Sequence, residues 1–488
     1  MREILSEKEK RQLALLDVLT EDKTATLLRI STVSGYPART LSDDISQLNA
    51  LISPSKIISN ISGLSLYIPQ NSSPREIYSR FLKESREYQL LLYLFENETD
   101  SLADISDALY VSESTLKRMI HGINEKLKDY GILILSAPFR IGGDEAAISL
   151  FFSKILRQLS RNDLITETQR VCLLDLCSRA ARWYRIPISF PSLNTIFRWT
   201  FVRLMRIKYG HHMNLPKREE GKTARPTWLN DGSLTAKLYT LFGVRVSEDI
   251  IFEIFYLYAN DGYAHDSNAL RRIIHRSPEK EGLCEAIKKM IDRVAAELAI
   301  STEGTEELLL RLFNMRSIPD APVYAIYDKG TIFLKGFQRE NERIYNAVKN
   351  AVREEFSQML SIHETESMIY TVITMWPGIV EKTADNIPPI SVGFFFDTDM
   401  GNARLVAELL QHYSRLKISV ILPDPIHDLD LNSVYQGVDL LITNIPGLED
   451  ENTEIVCVQE YPGKRDWNNI IMSIEMIHGS KCCELGSE

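Results

Sequence analysis

Twice within the first 145 residues the chain spells the same order of elements, and that order limits the folds open to it. In the first pass KRQLALLDVLT carries apolar residues at helical spacing, and TATLLRISTVSG reads as a second short helix ending at Gly35. After Tyr36-Pro37 comes a third helix, ARTLSDDISQLNALI, with Leu41, Ile45, Leu48 and Leu51 on one face. KIISNISGLSLYIP then alternates about Ser62-Gly63 as a β-hairpin does. The second pass starts with the helix REYQLLLYLFEN, followed by SLADISDAL with Ser101 as its N-cap. Tyr110-Val111 makes the turn. SESTLKRMIHGINEKLKDYG is the third helix, with Ser112 placed to cap its start and Gly131 just past its end. ILILSAPFRIGGDE is strand, turn at Ala137-Pro138, strand. The two passes are not close repeats in sequence, but their order agrees. Helix, helix, turn, helix, hairpin is the order of a winged helix-turn-helix.

The rest of the chain changes pattern twice. Residues 145–380 read as mostly helical, with VYAIYDKGTIFLKG set apart as a hairpin or irregular segment. Pro388-Pro389 marks a linker or domain edge. Beyond it ISVGFFFD, KISVILP, VDLLITN and EIVCV read as strands, GNARLVAELLQHYSRL and DWNNIIMSIEMIH as helices, which is the alternation of a small parallel sheet. At 488 residues the chain is too long for one core, so several domains are expected.

Composition excludes some classes. No stretch approaches the roughly 18 consecutive apolar residues of a membrane span, and MREILSEKEKRQ has no apolar run of the signal-peptide kind. The six cysteines form no C-x-x-C pair and no zinc spacing, so free thiols in a reducing cytoplasm are expected, with no metal or cofactor. The net charge of −10 does not exclude a nucleic-acid partner, because only a basic face is required. The basic residues are unevenly spread. From Leu176 to Arg218 there is no Asp or Glu, yet nine Arg and Lys occur. Aromatic residues interleave with them, and at this density they read as core, so the stretch is expected to be a structural helix with a basic outer face.

The second third-helix is the expected reader of double-stranded DNA. The first turn of such a helix enters the major groove. Ser112, Ser114, Thr115, Lys117, Arg118 and His121 occupy its outward positions, while Leu116, Ile120 and Leu127 face inward. Lys126 and Lys128 extend toward phosphates, and Arg140 sits on the wing. The alternative is an amphipathic helix with a solvated polar face. The first unit offers Arg39, Thr40, Ser42 and Gln47, but Asp43-Asp44 would be repelled by phosphate, which makes it the weaker reader.

These features resemble the Mga/AtxA group of virulence regulators. SGYPARTLSDDISQLN and VSESTLKRMIHGINEKL look like that group's two DNA-binding units. The resemblance implies a multidomain, mainly α fold. Two N-terminal winged helix-turn-helix units would occupy 1–72 and 73–145. Two helical phosphotransferase-system regulatory domains (PRDs) would occupy 146–285 and 286–387. An enzyme IIB-like α/β domain would occupy 388–480. It also implies a homo-dimer or larger assembly and phosphotransferase-system phosphocarrier proteins as partners.

The residues depart from that pattern in two places. A PRD histidine lies within a helix, where its neutral imidazole can accept phosphate. The corresponding helices NTIFRWTFVRLMRIKYG, SEDIIFEIFYLY and ELLLRLF contain none. The candidates left are His211, His212, His265, His275 and His363, the last near a helix start whose dipole favours phosphate. An enzyme IIB subunit needs a cysteine in the loop after its first strand. Here that loop, 397–402, has none, and Cys457 on a later strand reads as a buried small hydrophobe. A DNA-binding regulator, not an enzyme, is therefore the expected function. The alternative is a phosphotransferase-system component, or a scaffold, that uses its winged helices for protein contacts.

Overall fold

The first winged helix is closed by short helices whose ends are capped by their own sequence. In the computed structural model, which describes residues 2–22, 24–99, 101–158, 164–186, 190–215, 226–316, 326–356, 359–385, 388–397, 400–414, 417–422, 437–450 and 453–484, it comprises α1 (Glu7–Glu21), α2 (Leu27–Ser34), α3 (Ala38–Ile52) and the antiparallel pair β1 (Lys56–Asn60) and β2 (Gly63–Tyr67). Ser6 and Glu9 form a capping box on α1, and α2 ends at Gly35 in the left-handed region. The helix α4 (Pro74–Glu84) leads to the second winged helix: α5 (Arg86–Glu96), α6 (Leu102–Ala108), α7 (Glu113–Leu127), and the pair β3 (Ile132–Leu135) and β4 (Arg140–Gly143).

From α2 to the end of α3 the first winged helix aligns with α6 and α7 of the second at an offset of 75 residues, and the clamped wing residues follow at an offset of 77. Ser31 and Ser106 each donate a hydroxyl hydrogen bond across the turn, to the carbonyls of Tyr36 and Val111. Asn49 clamps the first wing, with Nδ2 to Ile57 O at 3.1 Å and Ile57 N to Oδ1 at 2.6 Å. Asn124 does the same to Ile134, at 2.9 and 2.7 Å. The buried Ile30, Leu41, Leu48 and Ile52 stand where Ile105, Leu116, Ile123 and Leu127 stand in the second unit. Only core and backbone-bonding positions are shared, which hides the repeat from a reading by composition.

By compactness the chain forms two units, one of residues 1–277 and 313–329, the other of 278–312 and 330–488. The first continues from the winged helices into α8 (Glu145–Gln158), α9 (Glu167–Trp183), α10 (Phe190–Lys208), α11 (Gly232–Phe242), α12 (Glu248–Ala259) and α13 (Ser267–Ile274). The aromatic residues of α10 are core as expected: Phe197, Trp199 and Phe201 are buried, and the Trp199 indole donates to Ile254 O at 2.6 Å. Its charge is not placed as expected. Arg203 and Arg206 are 0% and 1% exposed and point inward, so α10 does not carry these charges on an outer face. Arg206 grips Glu145, with Nε to Oε2 at 3.0 Å, and donates to Ile141 O at 2.9 Å. Arg203 pairs with Glu253 and donates to Ser149 Oγ at 2.8 Å. The physical reason is that the stretch has no acid of its own, so its arginines are neutralised by carboxylates from α8 and α12.

In the second unit α14 (Pro278–Leu298), α15 (Glu306–Met315), α16 (Lys329–Glu340), α17 (Glu342–Phe356), α18 (Ile362–Met375) and α19 (Ile379–Asp385) precede the α/β part. Both α15 and α16 run across the borders between units. Ile287, Met290, Ile291, Val294 and Leu298 of α14, and Ile344, Ala347, Val348, Ala351 and Val352 of α17, recur at three and four residues and are buried. Two readings change here. GTIFLKG is part of the helix α16, not of a hairpin, because Phe333, Leu334 and Phe337 follow helical rather than alternating spacing. The expected border at 285/286 falls inside the continuous helix α14.

The α/β part has β5 (Ile390–Phe395), α20 (Met400–Tyr413), β6 (Ile418–Ile421), β7 (Leu440–Thr443), β8 (Glu454–Cys457) and α21 (Lys464–Glu484). Its four strands lie in the order β6-β5-β7-β8 and all pair in parallel, over a core that includes Val392, Phe394, Val406, Leu410, Ile442 and Ile470.

The buried ion pairs give a stability prediction. Removing one member of such a pair costs about 3–5 kcal/mol, because the other is left charged and unpaired. Arg206→Met is expected to destabilise the first unit by about that amount. Adding Glu145→Met is expected to recover part of the loss. Urea unfolding followed by tryptophan fluorescence checks both.

Candidate nucleic-acid interface

The start of α7 is fixed by its own hydroxyls. Ser112 Oγ accepts from Thr115 N at 3.2 Å and lies 2.9 Å from Ser114 Oγ. Leu116, Ile123 and Leu127 anchor the inner face. Ile120 packs against the same core while only partly buried. On the outer face Ser112, Ser114, Lys117, Arg118, His121 and Lys126 are exposed, and Thr115 and Arg140 are half-buried. Lys117, Arg118, Lys126 and Arg140 make no ion pair among the described residues. Lys128 differs, since it pairs with Glu125 at 3.1 Å and is less available than its position suggests. The structure thus brings the second unit's candidates onto one helix face, with Arg140 on the hairpin that Asn124 clamps to that helix.

In the first unit Arg39, Ser42 and Gln47 are exposed and Thr40 is half-buried. The expected repulsion by Asp43-Asp44 holds for one of the two. Asp44 is buried and receives Arg11 Nε at 2.6 Å and Arg11 Nη2 at 3.2 Å, so it takes no part in the outer face. Asp43 remains exposed. By the 75-residue offset it stands where Arg118 stands in the second unit, which is a difference of two charges at one position of the reading face.

Two exposed apolar residues were missed. Tyr110 sits in the turn before α7 with φ 52° and is 90% exposed, and Ile61 at the tip of the first hairpin is fully exposed. An aromatic residue in the turn between two capped helices was the available signal for the first.

The candidate histidines do not gather at one place. His211 Nε2 meets Glu98 of the second winged helix and its Nδ1 lies 3.9 Å from Glu145. His212 Nδ1 is 2.8 Å from Glu253. His265 lies against the Tyr263 ring at 4.9 Å, and burial lowers its pKa. His275 is exposed at the C-terminal end of α13. His363 is half-buried in the first turn of α18, whose Ser361 and Glu364 form a capping box.

In the α/β part the loop after β5 is bridged by side chains. Asn444 Nδ2 donates to Asp397 Oδ1 at 2.6 Å, and Asp397 N donates to Asn444 Oδ1 at 2.9 Å. Residues 398 and 399 of that loop lie outside the described residues. Cys457 is exposed rather than buried, because β8 is an edge strand whose alternate side chains face outward. Among the described residues no group of His, Cys, Asp or Glu side chains is placed to hold a metal ion, and no helix is long and apolar enough to cross a membrane.

Comparison with known proteins bears on the same part of the chain. Residues 70–156 match the Mga helix-turn-helix domain. That span holds the whole of the second winged helix. Three relatives are similar over most of their length. A provisionally named trans-acting regulator of Streptococcus pneumoniae serotype 4 is 21% identical over 85% of this chain and 86% of its own. The capsule synthesis positive regulator AcpB of Bacillus anthracis is 23% identical over 96% of this chain and 99% of its own. AcpA of the same organism, also named a capsule synthesis positive regulator, is 23% identical over 72% and 75%. These findings agree with the resemblance to Mga/AtxA-type regulators seen in the sequence.

The Mga-type reading helix yields a quantitative expectation. Each phosphate contact adds about 0.9 to the slope of log affinity against log salt. Lys117→Ala with Arg118→Ala is expected to weaken duplex binding and to flatten that slope by up to about 1.8. Gel-shift titrations at several salt concentrations read it, and an unchanged slope in a folded double variant rejects the assignment.

Proposed function

We propose that the protein is a cytoplasmic DNA-binding transcription regulator of virulence or capsule genes, not an enzyme. It acts as a homo-dimer or larger assembly, and phosphotransferase-system phosphorylation of its helical domains tunes it. The observation that carries this is the outer face of α7: a capped helix start with Lys117, Arg118 and Lys126 exposed and in no ion pair among the described residues, beside a clamped hairpin. The names of the relatives support the choice of genes. The direct test is genome-wide occupancy of the protein against the Lys117→Ala, Arg118→Ala variant. Loss of discrete peaks is expected, whereas identical maps would reject α7 as the reader.

Within this reading Ser112, Ser114, Thr115, Lys117, Arg118, His121, Lys126 and Arg140 make the main DNA contact. Arg39, Thr40, Ser42 and Gln47 make a weaker one. The chain is read as two winged helices, two PRD-like helical regions and an enzyme IIB-like end, with the border between the helical regions moved to the start of α14. The alternative, a phosphotransferase-system component, is disfavoured by the Asp397–Asn444 pair. It occupies the strand-end loop with a carboxylate where a phosphate-accepting thiol would have to stand.

Electrostatics ranks the five histidines as phosphate acceptors. His211 and His212 face Glu98, Glu145 and Glu253, which repel an incoming phosphoryl group. His275 lies at the negative end of α13. His265 is partly buried against an aromatic ring. His363, in the first turn of α18, has the favourable end of a helix dipole. Incubation with phosphotransferase proteins and labelled phosphoenolpyruvate is therefore expected to label His363 first, and His363→Ala to remove most of the label. Label retained in that variant and mapped to His211 or His212 would reverse the ranking.

A further inference from the structure

Four cations of the first unit converge, and among the described residues no carboxylate pairs with them. Arg75 on α4 donates from Nη2 to the carbonyl of Arg157 at the end of α8, at 2.9 Å. The next residue, Gln158, accepts from Ile326 N at 2.7 Å and from Tyr327 N at 3.4 Å. The Tyr327 ring also lies 5.0 Å from that of Tyr78, one turn along α4 from Arg75. These contacts draw the segment bearing Lys329 to the same place. Arg198 reaches it from α10, which packs along α8.

The cluster has the chemistry of an anion site. The Arg75 Nε is buried with no hydrogen-bond partner. Among the described residues no side chain forms an ion pair with Arg75, Arg157, Arg198 or Lys329. Burial, then Arg157 and Arg75, pull the Arg198 guanidinium down to about 10. Burial and the three arginines lower the Lys329 ammonium in the same way. Elsewhere in this unit three arginines with little exposure are answered by carboxylates: Arg11 by Asp44, Arg203 by Glu253, Arg206 by Glu145. Arg75 and Arg198 are half-buried while Arg157 and Lys329 are exposed, so the cluster opens to solvent, and its two inner guanidiniums have no carboxylate partner among the described residues.

We propose that Arg75, Arg157, Arg198 and Lys329 form a binding site for a small phosphate-bearing anion, either inorganic phosphate or a phosphate monoester. Guanidinium groups offer the forked donors that phosphate oxygens accept, and the lysine adds a point charge. The Arg157 carbonyl holds the Arg75 guanidinium in place, so the site is preorganised for a compact group entering it. The proposal stands apart from the DNA-binding reading and does not depend on it.

The test uses the full chain. Inorganic phosphate, pyrophosphate and glucose 6-phosphate are each titrated by calorimetry and in thermal unfolding, against potassium chloride at equal ionic strength. Saturable binding with a raised unfolding midpoint is expected for at least one, and the tightest of the three separates inorganic phosphate from a monoester. Arg198→Gln, and Arg75→Gln with it, are expected to weaken that binding about tenfold or more. The ligand-free midpoint of Arg198→Gln is expected not to fall, because one member of a repelling set is removed, and this variant keeps the test open if Arg75→Gln does not fold. Arg182→Gln, on the exposed face of α9, is expected to bind like the parent. No saturable binding of any of the three, or binding retained in the double variant, overturns the proposal. So does a double variant that loses only affinity for duplex DNA, which would assign the cluster to the DNA backbone.

Discussion

The first unit depends on how it neutralises two arginines in its interior. Arg203 and Arg206 lie on one face of α10, three residues apart, and neither can stay charged there alone. Glu145 at the start of α8 and Glu253 in α12 answer them, and Glu145 follows directly on the second wing. Arg206 also holds the carbonyl of Ile141, a residue of β4 itself. Tyr209 and His211 extend the link to Glu96 and Glu98, at the end of α5 and just beyond. The wing, the first helix of the reading unit and the helical region are thus joined by hydrogen bonds with fixed geometry. A mainly apolar contact could slide, whereas this one has a defined register.

That link gives the helical region a physical means of acting on the reading helix. Asn124 ties α7 to β3, β3 pairs with β4, and β4 is held by Arg206. Each joint is a bond between named atoms, and each can be broken by one substitution. His212 and the backbone of Met213 share Glu253 with Arg203, so a change in the 211–213 segment reaches the carboxylate that balances a buried guanidinium. The chain has the connected parts that coupling requires.

Much of this was legible in the sequence, and the rest was hidden for identifiable reasons. The element order, the caps at Ser101 and Ser112 and the stops at Gly35 and Gly131 are local signals, and the structure keeps all of them. The parallel sheet was legible as four apolar runs between helices, though its order β6-β5-β7-β8 was not. The fate of Arg203 and Arg206 was hidden because their partners lie some fifty to sixty residues away in sequence. Asp44 was misjudged for the same reason, its partner Arg11 being 33 residues earlier. The exposed face of α7 was read correctly because periodicity alone sorts inward from outward positions on a helix. What those side chains touch in a complex is a separate question that periodicity does not reach.

The charge of the chain is reconciled by this sorting. A net charge of −10 argues against a polyanion as partner only if charge is spread evenly. Here four arginines of the acid-free stretch meet three fates. Arg203 and Arg206 are spent inside the fold. Arg179 is held between Asp175 at 2.8 Å and Asp231 at 3.0 Å. Arg198 joins a cluster with which no carboxylate pairs among the described residues. Of the two third helices, α7 carries Lys117, Arg118 and Lys126 without an ion pair among the described residues, whereas α3 carries Arg39 alone and has Asp43 at the position of Arg118. On the proposed reading, attraction to phosphate would fall on the second winged helix, and the first would contribute position more than affinity.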